Sequence, residues 1–165
     1  MIRRKVCMLG AFAVGKTSLV RRFVDDSFSD RYQSTVGVKI HKRRLSTSAG
    51  ETSLLIWDLH GDDEYQPVRT TYLRGASGLF LVADGTRPGT LERALELADL
   101  ARGAVGEIPL HLLVNKVDLD NEWVLEADQL DSLVARGWSV HRTSAKSGDG
   151  VEEAFHSLAE AMNAE

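Results

Sequence analysis

The sequence predicts an α/β fold: a three-layer sandwich whose six-stranded, mostly parallel sheet has one antiparallel edge strand and carries helices on both faces. Three observations predict it. Strand-like and helix-like patterns alternate through nearly all of the 165 residues, with no repeat, low-complexity tract or Pro-rich linker to mark a second unit. Residues 78–83 form a wholly apolar run, the pattern of a parallel strand buried on both faces. The polar clusters with recognisable chemistry each follow a strand, at the carboxyl edge where such sheets bind ligands. The chain reads as one domain over 1–165.

Taken in order, Val6-Cys7-Met8-Leu9 is a buried strand, and Leu19, Val20, Phe23 and Val24 put an apolar stripe on the helix that follows. Residues 25–34 have no period and read as a loop. A strand over 36–45 contains the basic run His41-Lys42-Arg43-Arg44, which fits a charge-protected edge better than a partner-binding face. A hairpin turn over 48–51 leads to a strand over 52–57 that ends at Asp58, and a polar loop then enters a short helix reaching Tyr72. After the apolar strand at 78–83, Pro88-Gly89-Thr90 opens a helix with Leu91, Ala94, Leu95 and Ala98 at helical spacing. A buried strand over 108–114, a helix over 125–134, a strand over 138–141 and a last helix with Val151, Ala154, Phe155, Leu158 and Met162 on one face complete the pattern.

A net charge of −4 argues against a nucleic-acid binder that works by neutralising phosphates. The single cysteine, Cys7, lies in an apolar strand and reads as a core residue. No apolar run approaches membrane-spanning length, and Met1-Ile2-Arg3-Arg4-Lys5 lacks a signal peptide's apolar core. Neither a myristoyl nor a prenyl signal is present, so the expectation is a cytoplasmic protein with no membrane anchor of its own.

The chemistry centres on Gly10-Ala11-Phe12-Ala13-Val14-Gly15-Lys16-Thr17-Ser18, a glycine-bounded loop between strand and helix. This is the layout of a phosphate-binding loop. Gly10 and Gly15 let the backbone turn tightly, so that successive N–H groups can point inward around a phosphate. The helix start adds unpaired N–H groups and its positive dipole end. Ala13, Val14, Gly15, Lys16, Thr17 and Ser18 are the candidate phosphate ligands, with Lys16 reaching the β- and γ-phosphates and the Thr17 hydroxyl ligating Mg²⁺. Two later clusters point to guanine. Asp118, in Asn115-Lys116-Val117-Asp118, can accept both N–H groups of guanine's Watson–Crick edge. Asn115 can hold the loop and the base edge, and the Lys116 stem can lie over the purine. In Ser144-Ala145-Lys146 the Ala145 N–H can meet the guanine carbonyl.

With these motifs in order, the chain resembles the small GTPases of the Ras superfamily, most closely the Rab- and Ras-like branches, over essentially its whole length. The family's five nucleotide motifs correspond to residues 10–18, Thr35 within Ser34-Thr35-Val36-Gly37, residues 58–61, 115–118 and 144–146. The resemblance implies GTP and GDP as ligands with Mg²⁺ as cofactor, and protein effectors, an exchange factor and an activating protein as partners. It implies that Thr35 reaches Mg²⁺ and the γ-phosphate in the GTP state, that Gly61 donates its N–H to the γ-phosphate, and that Asp58 holds Mg²⁺ through water. By the same resemblance Phe28 packs on the base and Tyr32 covers the phosphates. Residues 25–38 and 59–72 are the two switches, released when the γ-phosphate is lost.

Two departures bear on catalysis. The family's third motif usually reads Asp-Thr-Ala-Gly-Gln-Glu; here it is Asp58-Leu59-His60-Gly61-Asp62-Asp63. Asp62 replaces the glutamine that orients the attacking water. An ionised aspartate only accepts hydrogen bonds and brings negative charge to a transition state already rich in it, so slow hydrolysis is expected. Asp62 as general base is the opposing view, with a γ-phosphate oxygen competing for the proton. His60 is a second candidate for handling water, although a side chain that points to solvent or packs under the loop is favoured. Phe12 stands where a small residue is common and obstructs an arginine arriving from a partner. The alternatives are a GTP-bound scaffold with negligible hydrolysis, or the G domain of a larger protein. An ATP-using kinase fails on Asp118 and on the want of a second lid.

Overall fold

The computed structural model describes residues 1–30, 37–61 and 67–164. Six strands form one sheet in the order β2-β3-β1-β4-β5-β6. β1 (Ile2–Gly10) lies at its centre, pairing in parallel with β3 (Gly50–Leu59) and β4 (Gly78–Asp84). β5 (Leu110–Asn115) and β6 (Ser139–Arg142) continue the parallel set. β2 (Val38–Thr47) is the one antiparallel strand, joined to β3 by a turn of only Ser48 and Ala49.

Helices α1 (Lys16–Asp25) and α4 (Val151–Asn163) cover one face, where Leu19, Phe23, Phe80 and Phe155 share a core with even-numbered residues of β1 and β3. Phe23 stacks on Phe155 at 4.0 Å, and Phe155 meets the edge of Phe80 at 4.8 Å. α2 (Thr90–Val105) and α3 (Ala127–Ala135) cover the other face over Cys7, Leu9, Leu81 and Leu112. The expected α/β sandwich with a single antiparallel edge strand is what forms.

Several boundaries differ from the sequence reading, each for a local reason. β1 starts at Ile2 rather than Val6, because Ile2 to Lys5 pair with Thr52 to Leu55 although their side chains are not an apolar run. β3 extends through Asp58 to Leu59, one residue beyond the end expected at Asp58, and the Asp58 side chain is wholly buried. The short helix reaching Tyr72 is one 3₁₀ turn, Thr70–Leu73. α3 begins two residues later than the periodicity implies, because Glu126 and Gln129 form a reciprocal capping box that fixes its start. Cys7 is a core residue, and burial pushes its thiol up to about 12, where it is an inert thiol at neutral pH.

The basic run on β2 is an edge, with Lys42 and Arg44 exposed. Arg43 is different. Its guanidinium lies 4.1 Å over the Phe23 ring, donates to the Phe23 carbonyl at 2.7 Å and pairs with Glu152 at 2.6 Å. It pins the edge strand to α1 and α4 instead of serving as a solvated charge.

Candidate nucleotide site

The carboxyl edge of the sheet gathers the loops after β1, β3, β4, β5 and β6. β1 and β4 are neighbours, yet the helices that follow them cover opposite faces. A crevice opens at such a switch in connection, and the phosphate loop lies there.

In the loop, Ala13 and Gly15 both take left-handed backbone, with φ 64° and 106°. Alternation of this kind turns successive N–H groups to one side and makes an anion cradle. Ala13 adopts it at a cost of roughly 1–2 kcal/mol for a residue with a Cβ. Gly15 is fixed by space as well, since a Cβ there would fall 2.2 Å from the Asn115 amide nitrogen. Three consecutive carbonyls are each held by a side chain from another loop. Phe12 O accepts from Arg87 Nη1 at 2.7 Å, Ala13 O from Lys116 Nζ at 3.3 Å, and Val14 O from Asn115 Nδ2 at 3.0 Å. Because a peptide's N–H points opposite to its C=O, fixing the carbonyls fixes the direction of the next N–H groups. Lys16 is 5% exposed and lays its Nζ across the loop, 3.1 Å from Gly10 O and 3.3 Å from Ala11 O.

Thr17, in the first turn of α1, donates its hydroxyl to Asp58 Oδ2 at 2.7 Å. The other carboxylate oxygen, Oδ1, is buried and has no hydrogen-bond partner among the described residues. Burial raises the Asp58 pKa above the ordinary carboxylate value, and the Thr17 hydrogen bond and Lys16 charge pull it part of the way back. A buried carboxylate with an unused oxygen, beside a hydroxyl at the mouth of an anion cradle, fits a hard oxygen-seeking cation such as Mg²⁺. No cluster of three or more His, Cys, Asp or Glu suited to another metal occurs among the described residues.

The two clusters expected to meet a base are braced from within. Asn115 spends its amide nitrogen on Val14 and accepts from Thr143 Oγ1 at 3.2 Å, so its side chain ties three loops together. That is the loop-holding half of what its sequence position implied. Lys116 has φ 73° and its Nζ lies 2.7 Å from the buried carboxylate of Asp84, a residue that sequence reasoning passed over. Asp118 Oδ1 accepts from Ser144 Oγ at 2.7 Å, while Ser144 Oγ itself accepts from the Ser147 N–H at 3.0 Å. Ala145 is buried and Lys146 exposed. Their carbonyls are both gripped by Arg22 of α1, at 2.8 and 2.6 Å, a link across more than 120 positions that no local signal announces. Phe28 is half-buried against the core under α1 and α4.

Gly61 closes the site. A Cβ on it would lie 2.6 Å from the Phe12 Cα, so the chain after β3 runs backbone to backbone against the phosphate loop. His60 is 7% exposed. Its Nδ1 is 3.3 Å from Gly37 O and its Nε2 is 3.2 Å from Pro67 O, and its backbone N–H also donates to Gly37 O at 2.9 Å. The ring is packed under the loop rather than turned to solvent, and its N–H can donate to the Gly37 or the Pro67 carbonyl according to the tautomer. Tyr32, Thr35 and Asp62, with Asp63 and Glu64, lie outside the described residues.

Comparison with known proteins agrees with this geometry. The family model described as the Ras family matches residues 5–164. Ras-related protein Rab-13 of Bos taurus is 34% identical over 157 residues, covering 94% of this chain and 77% of that protein. Ras-related protein Rab-1D of Dictyostelium discoideum matches to the same extent. Ras-related protein Rab-21 of Geodia cydonium is 34% identical over 160 residues, 96% of this chain and 70% of its own length.

Proposed function

The chain belongs to the Ras family of small GTPases, and from that premise we propose that it is a guanine-nucleotide switch that binds GTP and GDP with Mg²⁺ and hydrolyses GTP slowly. Residues 1–165 act as one G domain. The observation that carries the reading is the outward clamping of the Phe12, Ala13 and Val14 carbonyls, because two of the clamps come from the cluster that would read the base. Phosphate cradle and guanine pocket are thereby one mechanical unit.

In this reading the N–H groups of residues 13–18 and the Lys16 ammonium hold the phosphates. Lys16 exchanges its contacts to Gly10 and Ala11 for the β- and γ-phosphate oxygens. Thr17, Thr35 and Asp58 hold Mg²⁺, which when bound neutralises charge on the β- and γ-phosphates. Asp118 accepts the two N–H groups of guanine, the Ala145 N–H meets its carbonyl, and Phe28, Lys116 and Lys146 pack about the base; Tyr32 covers the phosphates. Gly61 donates its N–H to the γ-phosphate, so that the chain after β3 follows the nucleotide state. Asp62 in place of glutamine makes the water poorly oriented and the reaction slow. Residues 25–38 and 59–72 form the surface for effectors, an exchange factor and an activating protein. A cytoplasmic location is part of the same reading. No described helix is long and apolar enough to cross a membrane. A scaffold that binds GTP and scarcely hydrolyses it is the second reading, and Asp62 favours it.

The test is competition against a fluorescent N-methylanthraniloyl GDP with and without EDTA. Displacement by GDP and GTP but not by ADP or ATP, weakened by EDTA, supports the reading. Equal displacement by adenine nucleotides would sink it.

A further inference from the structure

We propose that the sheet face formed by Arg3 and Lys5 of β1, Ser53 and Leu55 of β3, and Lys42 and Arg44 of β2 is a docking surface for an acidic segment of a partner protein. These positions lie outside residues 25–38 and 59–72, so the surface is separate from the one assigned to the nucleotide switch.

The strand register builds the face. Arg3 pairs with Ser53 and Ser53 with Arg44; Lys5 pairs with Leu55 and Leu55 with Lys42. Paired residues share a face, and so do alternate residues along a strand. The six side chains therefore stand together, with a row of cations on each side of β3. Two strand spacings separate the rows by about 10 Å, and alternate residues within a row are about 7 Å apart. Lys5 Nζ lies 3.6 Å over the Trp57 ring and donates to Arg74 O at 2.6 Å, which holds its ammonium beside β3. On this side α2 packs on β1, β4 and β5, and half-buried Leu55 belongs to neither core.

The charges on the face lack counterparts. Among the described residues Arg3, Lys42 and Arg44 make no ion pair, whereas Arg22, Arg43, Arg93 and Arg102 each have one. Like charges about 7–10 Å apart lie within roughly a Debye length at physiological salt and repel, here in a chain whose net charge is −4. Between Arg3 and Arg44, Ser53 is 1% exposed and its Oγ has no hydrogen-bond partner among the described residues. A carboxylate entering between the two exposed arginines supplies the acceptor that all three lack. Edge protection accounts for Lys42 and Arg44 on β2, but not for Arg3 and Lys5 on β1, an interior strand. The size of the patch selects the source of the carboxylates. Two or three on one peptide segment fit within about 10 by 7 Å, with an apolar side chain over Leu55. A nucleic acid or an anionic bilayer would instead press its charge against the acidic remainder of the chain.

The experiment titrates the full chain, with and without GDP and Mg²⁺, into a fluorescein-labelled twelve-residue peptide of three Glu-Leu-Glu-Ser repeats, and into its Gln-Leu-Gln-Ser counterpart. The expected result is saturable binding of the acidic peptide alone, with the same affinity in both nucleotide conditions. Arg3→Gln with Arg44→Gln should weaken it at least fivefold with Tm retained. Arg136→Gln with Arg142→Gln makes the same charge change at exposed positions in α3 and β6, toward the opposite edge of the sheet, and should weaken it less than twofold. Backbone amide shifts of the wild type on adding peptide should centre on residues 3–5, 42–44 and 53–55, a readout that needs no variant. Absence of binding, equal binding of the Gln peptide, equal losses in the two arginine pairs, or shifts centred elsewhere overturns the proposal. Binding of phosphatidylserine vesicles in place of the peptide gives the face to a membrane. Self-association in sedimentation, abolished by the Arg3 and Arg44 substitutions and without peptide binding, gives it to a second copy. Either result overturns the proposal as well. Nucleotide binding is no part of the readout, so failure here leaves the GTPase reading standing.

Discussion

Replacing Asp118 by Asn should convert the site from guanine to xanthine. Two acceptor oxygens would face two N–H donors on guanine, and hydrogen bonds to a charged group contribute about 1.5–3 kcal/mol each. Losing the charge and one acceptor costs about 3–6 kcal/mol, a fall of roughly 10²–10⁴-fold in GDP affinity. The structure says which way the new amide turns. Ser144 Oγ already accepts from Ser147 N–H, and its own proton points at Asp118 Oδ1 over 2.7 Å. The substituted side chain therefore keeps its amide oxygen toward Ser144 and presents its NH₂ at the other position. Xanthine carries a carbonyl where guanine carries its amine, and an acceptor beside a donor now matches it. The assay is displacement of fluorescent GDP by xanthosine and guanosine diphosphates, with the Tm of both proteins as a check on folding. An Asp118→Asn protein that folds and still binds GDP within threefold of wild type would falsify the assignment of Asp118 to the base.

Three further outcomes follow from the geometry. Gly61→Ala forces a Cβ to within 2.6 Å of the Phe12 Cα, so the chain after β3 must lift off the phosphate loop; the GTP-to-GDP affinity ratio should drop about 10- to 100-fold, the worth of one hydrogen bond to a charged group, while unchanged discrimination would show that Gly61 does not report the γ-phosphate. Asp62→Gln should speed single-turnover hydrolysis by restoring a side chain that both donates and accepts, and a slower variant would make Asp62 itself catalytic. The third concerns His111, which is 6% exposed, edges onto Phe80 and stacks on His141; burial, then the neighbouring His141, lower its pKa from 6.5 to about 4. Above pH 6.5 neither folded nor unfolded chain protonates it, but below that the unfolded chain takes up a proton that the folded one refuses. Stability should thus fall by about 2 kcal/mol between pH 7 and pH 5. Urea titrations of wild type and His111→Leu at the two pH values test this, and an equal loss in both proteins rules His111 out as the cause.

What the sequence discloses about this protein is mostly what lies close together along it. The phosphate loop is legible because its glycines, Lys16 and Thr17 fall within one turn between strand and helix, where spacing alone dictates geometry. The mostly parallel sheet with one antiparallel strand follows because apolar runs and helical stripes alternate and only one connection is short enough to be a hairpin; the order of the strands comes from the structure. The residues that carry no such signal are those whose partners are remote. Arg22 and Arg87 carry no motif and Arg43 reads as part of a charged edge, yet each reaches another element to grip a main-chain carbonyl. His111 and His141 sit on different strands and become a pair only through the parallel register of β5 and β6. The sequence ends the strand at Asp58 because polar residues follow soon after; β2 pairs along β3 to Leu59 and buries Asp58 in the sheet.

These remote contacts also explain how a loop containing Ala13 in left-handed backbone holds its shape before any ligand arrives. Alone, the segment would relax, since the conformation costs roughly 1–2 kcal/mol at a residue with a Cβ. Three donors from three different positions, Arg87, Lys116 and Asn115, draw the Phe12, Ala13 and Val14 carbonyls outward, and one net hydrogen bond contributes about 1 kcal/mol. Together they offset the strain, so the N–H groups stand arranged for an anion without having to be ordered by it. Two of those donors belong to the segment assigned to the base. A nucleotide that lacks the right base would then disturb Asn115 and Lys116 and loosen the cradle as well. On this view selectivity for guanine is felt at the phosphates, and a lesion at either end of the nucleotide weakens the grip on the other.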